Sequence, residues 1–226
     1  MFRYIFILAL VVTLPCFAQY QRRTPVVEAV QKTKAGIVAL NVTKNNRPIK
    51  GTGIIVDAAG YVVTNYHVVQ DCESISVKTA LGKEYSAELV RTFSKRDLAL
   101  LKIQSQDKFT ALEFANSEDV LVGETIIAVG NPYGFSNTVS TGIVSAVKRE
   151  IPGPTDAMLD DVIQHSANIN PGNSGGPLLN INGELIGINV AIKNGAQGIS
   201  FAISADTVKR VVVAKLNNQI QLTASR

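Results

Sequence analysis

Residues 170–179 read NPGNSGGPLL, with one serine among three glycines directly before an apolar segment. Asn, Gly and Ser are the usual residues of tight turns, so a plain turn is one interpretation. The other interpretation makes Ser174 a nucleophile. The glycines would then let the backbone fold tightly, so that amide N–H groups point at an oxyanion beside the hydroxyl. The rest of the chain has to distinguish the two.

Length and composition favour a globular domain. The chain has 226 residues, of which 46% are hydrophobic and 18% charged, with a formal net charge of +4. That composition is too apolar for a disordered chain, and the length is enough to bury a real core. Lys and Arg form no clustered block, so we expect no nucleic-acid partner.

The N-terminus has the pattern of a signal peptide. Arg3 precedes an apolar run from Tyr4 to Leu14, and the segment ends in small residues up to Ala18. The run is shorter than the roughly 20 residues that a spanning helix needs. We therefore expect residues 1–18 to be removed on export. The remaining protein would be periplasmic or secreted, without stable membrane insertion.

Cysteine usage excludes an internal disulfide if that segment is removed. Only Cys16 and Cys72 are present, and the first lies in the predicted signal peptide. Cys72 is then either a buried or half-buried small hydrophobe or a free thiol able to cross-link chains.

Most of the remaining chain consists of short β-rich runs with turn signals between them. Residues 51–69 hold two such runs around Asp57–Gly60, and residues 74–93 form a second hairpin that turns near Leu81-Gly82. In the second half, Asn182-Gly183 stands between alternating apolar residues, which is the strongest short-range signal for a hairpin.

Helix is favoured in only two stretches. Residues 24–34 have Thr24 as a possible cap with Pro25 behind it, and residues 204–219 place apolar side chains on one face. Residues 112–124 read as a seam between two halves. Many short strands and few helices predict an all-β barrel or sandwich.

Two other residues complete a candidate site with Ser174. A serine hydroxyl needs a base to take its proton, and His67 lies at the end of a β-rich run. Asp97 stands directly before the apolar run Leu98–Ile103 and could orient the histidine. The order His67, Asp97, Ser174 is that of the chymotrypsin type and differs from the orders of subtilisin and the α/β-hydrolases. We interpret the three as a catalytic triad, although each alone has an ordinary structural explanation.

Four motifs then resemble the HtrA/Deg family of trypsin-like serine endopeptidases. They are GTGIIVDAAGYVVTNYHVV (51–69), DLALLKI (97–103), GNPYGFSNTVSTGIVSAV (130–147) and NPGNSGGPLLNINGELIGIN (170–189). The resemblance implies an all-β fold of two six-stranded antiparallel β-barrels of the chymotrypsin type, with short N- and C-terminal helices. Within a protease domain of residues 19–226, we expect a first barrel over about 34–112, a second over about 120–204 and a helix over about 205–218.

The resemblance also implies further site residues. The backbone N–H groups of Gly172, Asn173 and Ser174 would form the oxyanion hole. Ile169 and Ile192 fall where the primary pocket is lined, which favours cleavage after small or medium aliphatic residues. Asn168 stands where the family often has alanine, and its amide could hold a polar side chain.

Two departures from the family pattern stand out. Family members usually carry one or more PDZ domains after the protease domain, whereas only a helix and a short tail are expected here. The family often reads Thr-Asp-Ala-Ala where this chain has residues 165–168. We interpret His165 as structural, with the alternative that it lines a pocket for an acidic side chain.

The sequence thus predicts an exported serine endopeptidase that cleaves unfolded or damaged proteins through an acyl-enzyme. The alternatives are a secreted sequence-specific protease or toxin on the same fold, and a chaperone-like binding module that keeps the barrel without the chemistry. We expect polypeptide substrates, no cofactor and no metal site. The resemblance further suggests a homotrimer in which the segment near Tyr20 packs between subunits.

Overall fold

The computed structural model describes residues 22–116, 119–131, 138–154, 158–190, 198–214 and 216. The predicted signal peptide, the segment near Tyr20, the pocket residue Ile192 and the end of the predicted C-terminal helix lie outside these described residues.

Within the described residues, twelve strands form two closed antiparallel barrels. The first barrel consists of β1 (Ile37–Lys44), β2 (Arg47–Asp57), β3 (Tyr61–Thr64), β4 (Ser74–Lys78), β5 (Glu84–Phe93) and β6 (Leu98–Ile103). The second consists of β7 (Thr125–Gly130), β8 (Thr138–Pro152), β9 (Met158–His165), β10 (Pro177–Asn180), β11 (Leu185–Val190) and β12 (Ser200–Ser204). The expectation of two six-stranded barrels is confirmed.

The two barrels share one topology. The neighbour order is β1-β2-β3-β6-β5-β4 in the first barrel and β7-β8-β9-β12-β11-β10 in the second, and each ring closes on itself. The predicted turns connect these strands: Gly60 N–H donates to the Asp57 carbonyl, and Gly183 adopts a positive φ of 76° in the Asn-Gly turn. Closure leaves neither barrel with an unpaired strand edge.

Apolar side chains fill three regions. One cluster lies in the first barrel and one in the second. A third cluster draws on both barrels and joins them; its members include Ile54, Val63, Leu98, Leu100, Ile127, Leu179, Leu185 and Ile188. This shared layer fixes the two barrels against each other and so sets the geometry of anything built from both.

The predicted N-terminal helix is confirmed as α1 (Pro25–Thr33), which continues as a 3₁₀ turn over Lys34–Gly36. The Thr24 side chain caps it by accepting the Val27 N–H at 3.3 Å. In the C-terminal region, α3 (Ala205–Val208) is a regular α-helix that widens into a π-helical segment over Lys209–Val213. No helix among the described residues is both long and apolar enough to cross a bilayer.

One strand prediction was wrong at its end. The second β-rich run of residues 51–69 stops at Thr64, and Tyr66–Val69 forms the short helix α2. The first N–H groups of a helix have no partner within it. Here Asp97 accepts them, through its carbonyl from Tyr66 N–H at 3.0 Å and through its carboxylate from His67 N–H at 2.9 Å. A tertiary contact therefore overrides the local β preference of this segment.

Cys72 is a half-buried free cysteine that packs against the core of the first barrel. Burial raises the pKa of its thiol above the ordinary value. The half-buried interpretation is therefore confirmed, and the raised pKa disfavours the reactive thiolate form.

Candidate active site

His67 on α2 and Asp97 before β6 form a hydrogen-bonded pair. Asp97 Oδ2 lies 2.8 Å from His67 Nδ1, and Oδ1 accepts the His67 backbone N–H at 2.9 Å. The Asp97 side chain is fully buried, whereas 24% of the His67 side chain is exposed. A carboxylate at Nδ1 favours the tautomer with its proton on that atom, which leaves Nε2 as the acceptor. This is the arrangement that a histidine base requires.

The backbone around Asp97 is held in an uncommon conformation. Asp97 has φ 49° and ψ 40° in the left-handed region, directly after the 3₁₀ turn Ser94–Arg96. Aspartate adopts this region more readily than most residues. The Asp97 carbonyl accepts Tyr66 N–H at 3.0 Å and the Asn65 side-chain amide at 3.1 Å. These contacts fix the carboxylate beneath the imidazole.

The loop that carries Ser174 closes on itself through two turns. Asn173 N–H donates to the Asn170 carbonyl at 2.9 Å, and Gly176 N–H donates to the Asn173 carbonyl at 3.0 Å. Gly172 and Gly175 have φ of 104° and 81°, a region that disfavours other residues. The two interpretations of NPGNSGGPLL are therefore compatible, since the segment is a turn and the turn presents Ser174.

The Ser174 loop packs against the strand that leads into His67. Thr52 N–H on β2 donates to the Ser174 carbonyl at 3.0 Å. A Cβ on Gly175 would lie 2.2 Å from Thr64 Oγ1, in the strand directly before α2. The structure thus brings the loop from the second barrel against the part of the first barrel that carries His67 and Asp97.

The three predicted oxyanion donors are consecutive backbone amides of the Ser174 loop. The Asn173 amide N–H is engaged within the loop, where it donates to Asn170. Its neighbours, Gly172 and Ser174, supply the two amides on either side of it. One of the three predicted donors therefore already has an acceptor within the protein.

The predicted pocket residues differ in their surroundings. Ile169 is half-buried and packs against the core of the second barrel. Asn168 is exposed, and its carbonyl accepts the Ser140 hydroxyl at 2.9 Å. Ile192 lies outside the described residues.

His165 lies at the end of β9, fully buried, with Ser200 of β12 and Val144 of β8 as its partners in the sheet. Burial lowers its pKa to about 4, against smaller opposing contributions from the Phe201 backbone and the Asn189 side chain. A neutral imidazole without solvent exposure fits a structural role better than a surface contact with substrate.

Sequence reasoning missed two polar residues that hold the site together. Thr52 and Asn65 are both almost completely buried and hydrogen-bonded to the Ser174 loop and to Asp97 respectively. Thr52 stands between two glycines, Gly51 and Gly53. A polar side chain within a buried β-rich run needs a hydrogen-bond partner. This signal could have identified Thr52 from the sequence.

Among the residues described, no group of three or more His, Cys, Asp and Glu side chains is placed to hold a metal ion.

Comparisons with known proteins point to one family. Residues 51–188 match the family model described as a trypsin-like peptidase domain. A probable DegP-like periplasmic serine endoprotease of Chlamydia trachomatis is 48% identical over 167 residues, which cover 73% of this chain and 33% of that protein. The periplasmic pH-dependent serine endoprotease DegQ of Escherichia coli is 45% identical over 163 residues, covering 70% of this chain and 35% of that protein. The chain thus spans about one third of the length of these relatives.

A solved structure of similar fold is that of the HtrA-type protease AlgW with a tripeptide. It superposes with a TM-score of 0.77 at 36% identity, covering 84% of this chain and 62% of that one. Together with the sequence relatives, this structure confirms the resemblance to HtrA/Deg proteases that the motifs indicated.

Proposed function

The chain belongs to the trypsin-like peptidase family, and from that premise we propose that it is an exported serine endopeptidase acting on unfolded or damaged polypeptides. The observation that carries the proposal is the buried Asp97 carboxylate, which binds both the backbone N–H and Nδ1 of His67. A buried charge is costly unless it is paired, and this one is paired with histidine, the side chain that most often acts as a base near neutral pH.

The reaction follows from these groups. His67 Nε2 takes the proton of Ser174 Oγ while that oxygen attacks the carbonyl carbon of the substrate peptide. The negative charge that develops on the carbonyl oxygen accepts hydrogen bonds from the amides of Gly172 and Ser174. Asp97 stabilises the imidazolium and keeps the imidazole in the correct tautomer.

Collapse of the tetrahedral intermediate breaks the C–N bond, and His67 gives its proton to the leaving amine. The acyl group remains on Ser174 as an ester. Water then attacks that ester while His67 takes its proton, and the proton returns to Ser174 Oγ when the acid product leaves. This sequence of steps requires no cofactor.

We base the proposed substrate preference on Ile169 and Ile192, which fall where the family's primary pocket is lined. Apolar side chains at these positions would favour Val, Ile or Ala before the cut bond, because an unpaired buried charge is unfavourable. Export to the periplasm is supported by the predicted signal peptide and by the periplasmic relatives. A homotrimer remains a prediction from the resemblance.

The test is Ser174→Ala on the exported protein. Loss of the nucleophile should lower casein turnover by about 10⁴- to 10⁶-fold and abolish labelling by a fluorophosphonate, with an unchanged melting temperature. Ser86→Ala, which changes an exposed serine on β5, is the matched control and should leave both readouts intact.

The outcomes also distinguish the alternatives. A folded protein that neither cleaves nor reacts with the probe would favour a binding module. A protein that reacts but cuts a peptide library at one sequence would favour a sequence-specific protease or toxin. Comparable turnover by Ser174→Ala would refute the assignment of the nucleophile.

A further inference from the structure

The hydroxyl of Thr52 links the two barrels directly at the Ser174 loop. Thr52 lies on β2 and is 1% exposed. Its Oγ1 donates to the Gly172 carbonyl at 2.7 Å and accepts the Asn131 N–H at 2.9 Å. One buried hydroxyl of the first barrel therefore uses both its donor and its acceptor capacity on the second.

The backbone of Thr52 holds the same loop from a second point. Its N–H donates to the Ser174 carbonyl at 3.0 Å, and its own carbonyl accepts the Thr64 hydroxyl at 2.7 Å. Gly175 lies so close that a Cβ there would be 2.2 Å from the Thr52 carbonyl oxygen. The hydroxyl and the backbone of Thr52 thus contact the loop on either side of Asn173.

The peptide unit that Thr52 holds lies between the two proposed oxyanion donors. The carbonyl of Gly172 and the N–H of Asn173 belong to one planar group, since a peptide bond does not rotate freely. Thr52 binds the carbonyl end, and the Asn170 carbonyl accepts the N–H end at 2.9 Å. The amides of Gly172 and Ser174 flank this plane, so their directions depend on it.

Glycine alone would not keep this plane in place. Gly172 has φ 104°, and glycine populates positive and negative φ about equally well. Asn131 N–H also reaches the Gly172 carbonyl, but at 3.3 Å, whereas the Thr52 hydroxyl is 2.7 Å away. The shorter of these two bonds comes from a side chain and can be removed by substitution.

We propose that Thr52 is a positioning residue for the oxyanion hole. Its hydroxyl keeps the Gly172 carbonyl turned towards the first barrel and so aims the Gly172 and Ser174 amides at the substrate's carbonyl oxygen. The inference rests on the proposed peptidase function. Thr52 would thus contribute to transition-state stabilisation, although it contacts neither the substrate nor the reacting atoms.

The experiment compares three variants with the wild-type protein. Thr52→Val keeps the shape but removes donor and acceptor, and Thr52→Ser keeps the hydroxyl. Thr33→Val is the matched control, because the Thr33 hydroxyl is equally buried and donates to the Ala29 carbonyl at 2.8 Å, in α1. For each variant, kcat and KM on a peptide substrate, the melting temperature and the hydrogen exchange of peptides covering residues 170–176 are measured.

Thr52→Val should lower kcat by about 10- to 100-fold, somewhat less than removal of an oxyanion donor itself, with KM nearly unchanged. It should also speed hydrogen exchange in residues 170–176. Thr52→Ser should restore both readouts, and Thr33→Val should affect only the melting temperature. That pattern separates positioning from general stability.

Three results would overturn the inference: a wild-type kcat for Thr52→Val, an equal loss of kcat in Thr33→Val, or no rescue by Thr52→Ser. If the wild-type protein itself fails to cleave, the proposed function fails instead. Hydrogen exchange then still decides the role of Thr52, because unchanged exchange in Thr52→Val would contradict it and faster exchange would support it.

Discussion

Arg96 of the first barrel and Asp160 of the second form an ion pair. Arg96 directly precedes Asp97 in the chain, and Asp160 lies on β9. The Arg96 side chain is 33% exposed and that of Asp160 46%. The pair therefore connects the left-handed turn at Asp97 to the barrel that carries Ser174. Solvent and salt still reach both side chains of the pair.

Breaking this pair should weaken catalysis modestly and in a salt-dependent way. Arg96→Gln is expected to lower kcat/KM by about two- to five-fold at low salt, because partly exposed pairs contribute only about 0.2–1 kcal/mol. The difference should shrink in 1 M salt, where screening already weakens the wild-type pair.

The measurement is kcat/KM against ionic strength for both proteins. Lys78→Gln serves as the control, since it breaks the exposed Lys78–Glu84 pair of the β4–β5 hairpin. An equal effect in the control, or a wild-type-to-variant ratio that salt leaves unchanged, would rule out positioning by this pair.

Asp97→Asn should abolish most activity while keeping the fold. An asparagine amide at this position would donate to His67 Nδ1 and so favour the tautomer with its proton on Nε2, which cannot accept from Ser174. Turnover should fall by about 10⁴-fold, as expected for loss of the orienting acid.

Asp107→Asn is the control for this substitution, because Asp107 is an exposed carboxylate that pairs with Lys83 and Tyr85 away from the site. Turnover and melting temperature are compared for both variants. Asp97→Asn activity within ten-fold of wild type would show that His67 needs no carboxylate partner.

Local features of the chain were predicted well from sequence. The Asn182-Gly183 turn and the Thr24 cap depend on residues close together in the chain, and so does the strand Leu98–Ile103. Their backbone preferences act within a few residues, which is the range at which sequence patterns carry information.

Long-range contacts explain what was missed. α2 exists because Asp97, distant in sequence, accepts its first N–H groups. Thr52 and Gly172 are likewise distant in sequence and come into contact only in the tertiary structure. The chain order of His67, Asp97 and Ser174 suggested the site, but the atoms that hold the site in place follow from tertiary structure and not from spacing.

Any side chain at Gly175, even that of alanine, should lower the unfolding free energy. It has φ 81°, and a Cβ would lie 2.2 Å from both the Thr52 carbonyl and Thr64 Oγ1. Gly82 has the same φ of 81°, but beyond its chain neighbours no described atom lies within 4 Å of the Cβ position. Comparing alanine substitutions at the two glycines therefore separates the cost of backbone strain from the cost of overpacking.

Gly82→Ala should lose about 1–2 kcal/mol of unfolding free energy from the left-handed backbone alone. Gly175→Ala should lose a further 1–3 kcal/mol or so because neighbouring atoms must shift. Denaturant unfolding of both variants measures the difference. Equal losses would mean that the loop moves aside easily, against the packing described here.

Cleavage should follow small or medium aliphatic residues, and Ile169 should set the upper size. Ile169→Ala is expected to raise the share of cuts after Leu and Phe by about ten-fold or more, since each added methylene in an apolar pocket changes discrimination by about 1–3 kcal/mol. Ile181→Ala, which changes a 43% exposed isoleucine, should leave the profile as it was.

Mass-spectrometric mapping of cuts in an unfolded substrate gives the profile. Dominant cuts after Lys or Arg in the wild type would contradict the aliphatic pocket. Cuts after Glu would instead assign His165 a part in specificity.

His165 should make the protein lose stability in mild acid. Its pKa is lowered to about 4 in the folded state, from an ordinary value of 6.5, chiefly because burial disfavours the charged imidazolium. Between these two values the unfolded chain binds a proton that the folded chain does not. The unfolding free energy therefore falls as the pH falls, by about 1.4 kcal/mol per unit, and this contribution is fully present only above pH 6.5 or so.

The measurement is the unfolding free energy from pH 8 to pH 4, in a Ser174→Ala background that prevents self-digestion. His165→Gln removes the titrating group and should flatten the curve between about pH 6.5 and 4, by about 3 kcal/mol in total. Carboxylates titrate in both proteins, so the difference between the two curves isolates the contribution of His165 to the unfolding free energy. Parallel curves would show that the imidazole is reached by solvent or charged in the folded state, and would reopen a role for it in binding an acidic side chain.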